Sequence, residues 1–239
     1  MIGTPKKTAV SVIIPSYQHA REIVACLTSV FRQTFKDYEV IVVDDGSTDG
    51  TEAAVKPYLN RIRYIRQDNR GAPAARNRGF SESCGDFLLF CDADLILRPD
   101  MLAKMVAALE AHPEASYAYS SFRYGFKAFC FWPFDAARLK ESNYIHTTSL
   151  IRREHFPGFD ESVRRLQDWD LWLTMLEQGR VGVFVPEMLF KAIPHKGGIS
   201  TWVPGIFYRI PWKKLGISMP RVEKYLAAEK IIKEKHRLT

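Results

Sequence analysis

The chain has 239 residues, 46% of them hydrophobic, enough to bury a full core in one α/β domain and too long to depend on disulfide staples. Its 34 basic and 27 acidic side chains leave a net charge of +7, which favours anionic partners without choosing among nucleic acid, a phosphate-bearing substrate and an acidic membrane surface. No stretch approaches the roughly 18 consecutive apolar residues of a spanning helix, so any membrane contact is expected to be peripheral.

From the N-terminus, Lys6 and Lys7 precede a short β-branched stretch that reads as a strand at residues 10–14 and not as a signal peptide. Residues 21–31 then place Ile23, Val24, Leu27, Val30 and Phe31 at helical spacing. The unit recurs, with strands predicted at 39–43, 61–66 and 87–91 and helical stretches at 51–58, 72–81 and 101–111, Pro99 suiting the first turn of the last helix. Alternation of this kind argues a mainly parallel, Rossmann-like sheet covered on both faces. After about Tyr124 the rhythm breaks into an aromatic run holding Phe126, Phe129, Phe131, Trp132 and Phe134, for which core packing is the plainer reading and an acceptor platform or membrane-facing patch the alternative. The tail from Pro220 is lysine-rich and helical in pattern. The organisation is thus a domain at 1–200, with halves 1–123 and 124–200, and a basic, aromatic C-terminal extension at 201–239. Cys26, Cys84, Cys91 and Cys130 lack the paired short spacing of a zinc site, and a reducing cytoplasm is the expectation.

Polar, acidic loops follow the strands ending at Ile14, Val43 and Cys91, at the carboxyl edge where ligands of parallel sheets bind. The run from Asp44 to Gly50 offers carboxylates to hydroxyls and base N–H groups, and glycines that let backbone approach a ligand; as a bare turn it would only cap the next helix. Asp92 and Asp94, two residues apart after a buried strand, suit a hard divalent ion, Mg2+ or Mn2+, though loops of solvated acids share the pattern. Arg76 stands at a loop-to-helix junction where a cation and helix amides could meet phosphate. Leu171, Trp172, Met175 and Leu176 make one apolar helix face. Asp168, four residues before Trp172, points the same way while Asp170 points elsewhere; Asp168 could also be the cap of that helix. His195 precedes a glycine pair able to close over a diphosphate.

Together, the segments 12–17, 43–47, 75–77, 92–94, 158–161 and 168–172 resemble the family 2 glycosyltransferases of the GT-A fold. The resemblance spans roughly residues 8–200. It implies an inverting transferase that uses a divalent metal and a UDP- or dTDP-sugar, with a carbohydrate or lipid-linked acceptor in surface polysaccharide or glycan assembly. By position it puts Pro15, Tyr17, Asp45 and Arg76 around the nucleotide, Asp92 near the ribose, Asp94 on the metal with His195 as a looser match, and Asp168 in the role of catalytic base. Gln18 stands where the family often has Asn, and Gln167 where an acidic residue usually precedes the base. A cytoplasmic protein is implied, with peripheral contact at the inner face of an anionic membrane, for which the aromatic and basic residues from Trp202 to Lys235 are the candidate segment, a C-terminal helix packed on the domain being the alternative.

A nucleotidyltransferase would want a glycine-rich, basic loop after the first strand, and a Rossmann dehydrogenase a Gly-x-Gly-x-x-Gly; the loop is Pro15-Ser16-Tyr17-Gln18-His19. A nucleotide-sugar binder without turnover remains an alternative because of Gln167. Nucleic-acid binding rests on charge alone and is not expected.

Overall fold

The computed structural model describes residues 8–194 and 218–238, with Phe207, Ile210 and Trp212 between them. Four strands, β1 (Val10–Ser16), β2 (Tyr38–Asp44), β3 (Arg63–Arg66) and β4 (Phe87–Phe90), pair in parallel in the order β3-β2-β1-β4. They alternate with helices α1 (Ile23–Phe31), α2 (Thr51–Val55, continued by a 3-10 turn at Lys56–Tyr58), α3 (Ala72–Ser81) and α4 (Met101–Ala111), as the periodicity predicts. Because β1, β2 and β4 are covered on both faces, they read as largely apolar runs, whereas β3 at the sheet edge carries exposed Arg63 and Arg66. Val10, Val12 and Ile14 join one buried layer with residues of α1 and α4, whereas Ile13 joins Leu88 and Phe90 in the other. Helix α3 lies so close to β1 that a Cβ at Gly79 would sit 2.3 Å from Ile13 Cγ2. Only glycine permits that approach. Pro99 departs from expectation: α4 starts at Met101 behind Asp100, and Pro99 lies outside the helix, its carbonyl accepting the Thr34 amide at 2.7 Å.

Beyond this parallel run the sheet becomes mixed. It continues β4-β8-β6-β9-β5, with β7 on the flank of β6; these are β5 (Leu95–Leu97), β6 (Ala115–Tyr124), β7 (Lys127–Phe129), β8 (Leu150–Arg152) and β9 (Val181–Ala192). Strand β8 runs antiparallel to both its neighbours, while β6 and β9 run parallel. Of the aromatic run, Phe129 stacks on Phe122 with centroids 4.8 Å apart, Trp132 packs on Tyr144 at 5.0 Å and Phe134 meets Tyr117 at 6.3 Å. Core packing accounts for these. Phe126, at the tip of the β6–β7 hairpin, is fully exposed.

Helix α5 (Ala136–Glu141) is capped by Asp135, whose carboxylate accepts the amides of Ala137 and Arg138 at 2.9 and 3.1 Å. Helix α6 (Gln167–Glu177) buries Trp169 and Trp172, and their indole N–H groups donate to the carbonyls of Leu139 and Ile145 at 2.6 and 2.8 Å. The tail forms α7 (Pro220–Lys235), with Pro220 in its first turn. Ile232 of α7 is wholly buried in the cluster that holds the α6 tryptophans, so this stretch of the extension is docked on the domain. Trp202 lies outside the described residues. Among those described, no helix is long and apolar enough to cross a membrane.

Candidate functional site

The loops after β1, β2 and β4 open at one edge of the sheet. Asp44 is consumed in building that edge, its oxygens accepting the Ser47 amide at 2.8 Å and the Tyr64 hydroxyl at 2.6 Å. Asp45 accepts from Gln67 Nε2 and the Arg70 amide through Oδ1, at 2.8 and 2.9 Å, and from the Gly71 amide through Oδ2 at 2.7 Å. A carboxylate has about four acceptor positions, and three of those of Asp45 are filled in shaping the loop before α3. Gly71 takes φ 95° there, a backbone that favours glycine.

Pro15 lies buried within β1, in register with Val43, and Tyr17 beyond it is about half exposed. Gln18, with φ 59°, joins the two loops: its amide donates to Ser47 Oγ at 3.0 Å, and its side chain gives Nε2 to Thr48 Oγ1 at 2.9 Å and takes the Thr48 amide on Oε1 at 3.0 Å. Asn adopts the left-handed region more readily than Gln. The paired contact with Thr48 is what offsets that cost here.

Arg76 on α3 is the hub. Its buried guanidinium donates to Asp92 Oδ1 and to Gln167 Oε1, each at 2.8 Å, and lies 5.2 Å from the centre of the Phe159 ring. Burial alone would raise the Asp92 carboxyl; the positive charge of Arg76 and its hydrogen bond hold it below the usual carboxylate range. Next to Arg76, Asn77 donates to the Phe159 carbonyl and accepts the Phe159 amide, both at 2.8 Å. Four of the sequence segments therefore meet: 75–77, 92–94, 158–161 and the start of α6. At Gln167 a neutral amide takes the hydrogen bond that an acidic side chain could take, and among the described residues Asp92 is the carboxylate paired with Arg76.

Asp168 is the second residue of α6 and not its cap. Leu166 occupies the cap position at φ 56° with no side-chain cap bond, and Asp168 Oδ1 accepts the Trp169 amide at 3.0 Å. Asp170 turns away, as the helical spacing predicts: its carboxylate, 3% exposed, meets His236 Nε2 at 2.8 Å and Lys235 Nζ at 2.7 Å.

His146 was not among the residues the sequence singled out. Its ring packs against Phe122 and Phe190 at 4.8 and 5.1 Å, and Nδ1 accepts the Thr148 amide at 3.0 Å, so the neutral ring carries its proton on Nε2. Burial pushes its pKa down, against the pull of Asp92 and Asp168. The imidazole thus stands in the field of both carboxylates. A lone histidine with no partner at fixed spacing left no signal in the sequence.

Asp94 lies after β4, and its carbonyl accepts the Ile193 amide at 2.9 Å, which brings the end of β9 beside it. His195, two residues further, lies outside the described residues. Among those described, no group of three or more His, Cys, Asp or Glu side chains is arranged to hold a metal ion. The oxygen donors of this loop have the right chemistry for a hard cation but are an incomplete set, which a ligand's phosphate oxygens would have to complete.

The sequence pattern of glycosyl transferase family 2 matches residues 11–163. A putative glycosyltransferase EpsE of Bacillus subtilis is 30% identical over 203 residues, covering 76% of this chain and 72% of the relative. A glycosyltransferase of Rickettsia felis is 26% identical over 82% of this chain, which spans only 34% of that relative's length. Among solved structures, S. aureus TarS 1-349 in complex with UDP-GlcNAc superposes with a TM-score of 0.70 at 22% identity, over 90% of this chain and 69% of that one. The mannosyltransferase PcManGT of Pyrobaculum calidifontis, in complex with GDP-Man and Mn2+, gives 0.63 at 21% identity over 95% and 70%. The fold is of the GT-A type.

Proposed function

Because the chain belongs to glycosyl transferase family 2 and is a glycosyltransferase, we propose that it moves a sugar, with inversion, from a UDP- or dTDP-sugar to an acceptor hydroxyl. The observation that carries the reading is the double hydrogen bond of Arg76 to Asp92 and Gln167, which ties the donor-side loop to the helix turn bearing Asp168. In the reaction the acceptor oxygen bonds to the anomeric carbon as the bond to the diphosphate breaks. Asp168 takes the acceptor proton, a role that contributes about 10²–10⁴-fold. Pro15, Tyr17, Asp45 and Arg76 line the nucleotide, and Asp92 lies near its ribose. A divalent cation, Mn2+ or Mg2+, would be held by Asp94, with His195 as a second ligand, and supplies charge neutralisation on the departing diphosphate. That PcManGT holds Mn2+ with GDP-Man supports the cation, and the TarS complex with UDP-GlcNAc supports the donor class.

The acceptor is a carbohydrate or lipid-linked glycan in surface polysaccharide assembly, met in the cytoplasm at the inner face of an anionic membrane; nucleic acid is not a partner. Calorimetric titration of UDP, with and without Mn2+, tests the donor reading. Metal should strengthen binding to the wild-type chain, and Asp94→Ala should remove that enhancement. Equal UDP affinity in the metal-loaded wild type, the chelated wild type and the variant would sink the assignment of Asp94. Tight donor binding with no transfer to any acceptor would favour a binder without turnover, the reading that Gln167 keeps in view.

A further inference from the structure

One edge of the molecule carries cations that the fold leaves uncompensated. A groove of about 570 Å³ runs between α1 and the β5–β9 edge, floored by Ile96, Leu97, Met188 and Phe190. Four cations line it. Arg98 is paired with Asp100 and Glu187, but Arg32, Arg123 and Lys191 are exposed and have no carboxylate partner among the described residues. Arg123 and Lys191 stand opposite each other in the β6–β9 register. Like charges placed so are mutually destabilising unless an anion or water lies between them.

The same edge ends in an apolar point. Two residues beyond Arg123 the β6–β7 hairpin turns at Gly125, φ 56°, and presents Phe126 fully to solvent while its aromatic neighbours pack inward. Lys127 follows Phe126 and is exposed. Residues 123–134 contain no acidic side chain. An exposed aromatic set among cations is the pattern of a surface that sits at a lipid interface, the ring among the headgroups and the charges on anionic phosphates.

We infer that this edge, the Arg32–Arg123–Lys191 groove and the Phe126 tip, docks the enzyme on an anionic bilayer. The inference deepens the membrane contact proposed above and places it on the domain itself, independently of the segment that follows β9. The groove takes a lipid phosphate between Arg123 and Lys191, and Phe126 enters the interface beside it. Each cation near an anionic surface strengthens binding by about fivefold, so neutralising three should weaken it on the order of 100-fold.

The test is co-sedimentation of the full-length chain with phosphatidylcholine vesicles, with and without phosphatidylglycerol, at low and high salt. The wild type should bind only the anionic vesicles and release at high salt. Arg32→Gln/Arg123→Gln/Lys191→Gln should lose most of that binding, and Phe126→Ser part of it, with unchanged Tm and unchanged transfer to a soluble acceptor. Wild-type binding that the triple variant retains would overturn the assignment of this edge while leaving the membrane contact standing elsewhere. A wild type that ignores anionic vesicles overturns both, and binding that is indifferent to lipid charge overturns the electrostatic basis of the docking.

Discussion

Asp168 and Asp170 are two residues apart, and the fold gives them opposite duties. Asp170 is buried against His236 and Lys235 of the C-terminal helix, whereas Asp168 remains partly exposed and its one intrahelical contact is the Trp169 amide. Replacing Asp168 by Asn removes a negative charge from the first turn of α6, a loss of about 0.3–1 kcal/mol, and the cap at Leu166 is untouched. The expected outcome is a Tm within about 4 °C of wild type and transfer reduced at least about 10²-fold in single-turnover assays. Asp170→Asn should do the reverse, lowering Tm while the folded enzyme keeps near-normal turnover. A severe catalytic loss from Asp170→Asn with intact stability, or wild-type rates from Asp168→Asn, would take the base role from Asp168. Helical spacing alone made the divergence of the two side chains legible. It did not reveal that Leu166 would hold the cap position, because a left-handed, non-glycine residue contradicts local preference. Nor did it reveal His146, whose placement depends on strands that sequence patterning missed.

At the scale of elements, the docking of α7 on α6 is the feature with a measurable pH signature. Burial would push the His236 imidazole down, but its hydrogen bonds to Asp170 and Glu177 outweigh that and leave its pKa above the ordinary 6.5. A group raised in the folded state contributes its stability in full below the unfolded pKa and loses it as pH rises through the folded value. Asp160 behaves oppositely. The Lys235 hydrogen bond, with Ser162, lowers its carboxyl to about 2, so its contribution is present above about pH 4 and fades as pH falls toward 2. The α7 contact should therefore be strongest between about pH 4 and 6.5. Denaturant melts of wild type and His236→Gln should differ most in that window and converge as the pH is raised beyond it; a difference that grows with pH would contradict the charged imidazole. Pro220 and the lysine-rich pattern made α7 readable as a helix, but the partner it buries itself against was not readable. The charges of Lys235 and His236 look like a solvated face until Asp160, Asp170 and Glu177 are brought to them from elsewhere in the chain.

For the whole molecule, the decisive feature is how the two halves of the sequence are woven. Strands β1, β2 and β4 announce themselves because a buried parallel strand reads as a largely apolar run. Strand β6, AlaSerTyrAlaTyrSerSerPheArgTyr in sequence, is buried along most of its length yet carries serines and tyrosines, so no apolar run marks it, and β8 is three residues long. Those unmarked strands are the ones that join the halves. Strand β8, from the second half, separates β4 from β6, and among the described residues β6 pairs with β7, β8 and β9 and no other strand; β5 pairs with β9. Cutting the chain after Arg123 would leave β6 and β5 without a single partner and uncover Leu88, Phe90, Tyr117 and Tyr119, all buried in the intact sheet. Net domain stability is only about 5–15 kcal/mol, and exposing a large aromatic side chain forfeits about 1.5–3 kcal/mol, so the fragment has no margin. We predict that residues 1–123 expressed alone show no cooperative thermal transition and bind a hydrophobic dye. The intact chain, in contrast, should melt in one calorimetric step whose van't Hoff and calorimetric enthalpies agree. A cooperative transition in the isolated fragment, near the temperature of the intact protein, would mean that the donor half stands on its own core and that the shared sheet is an accessory to it.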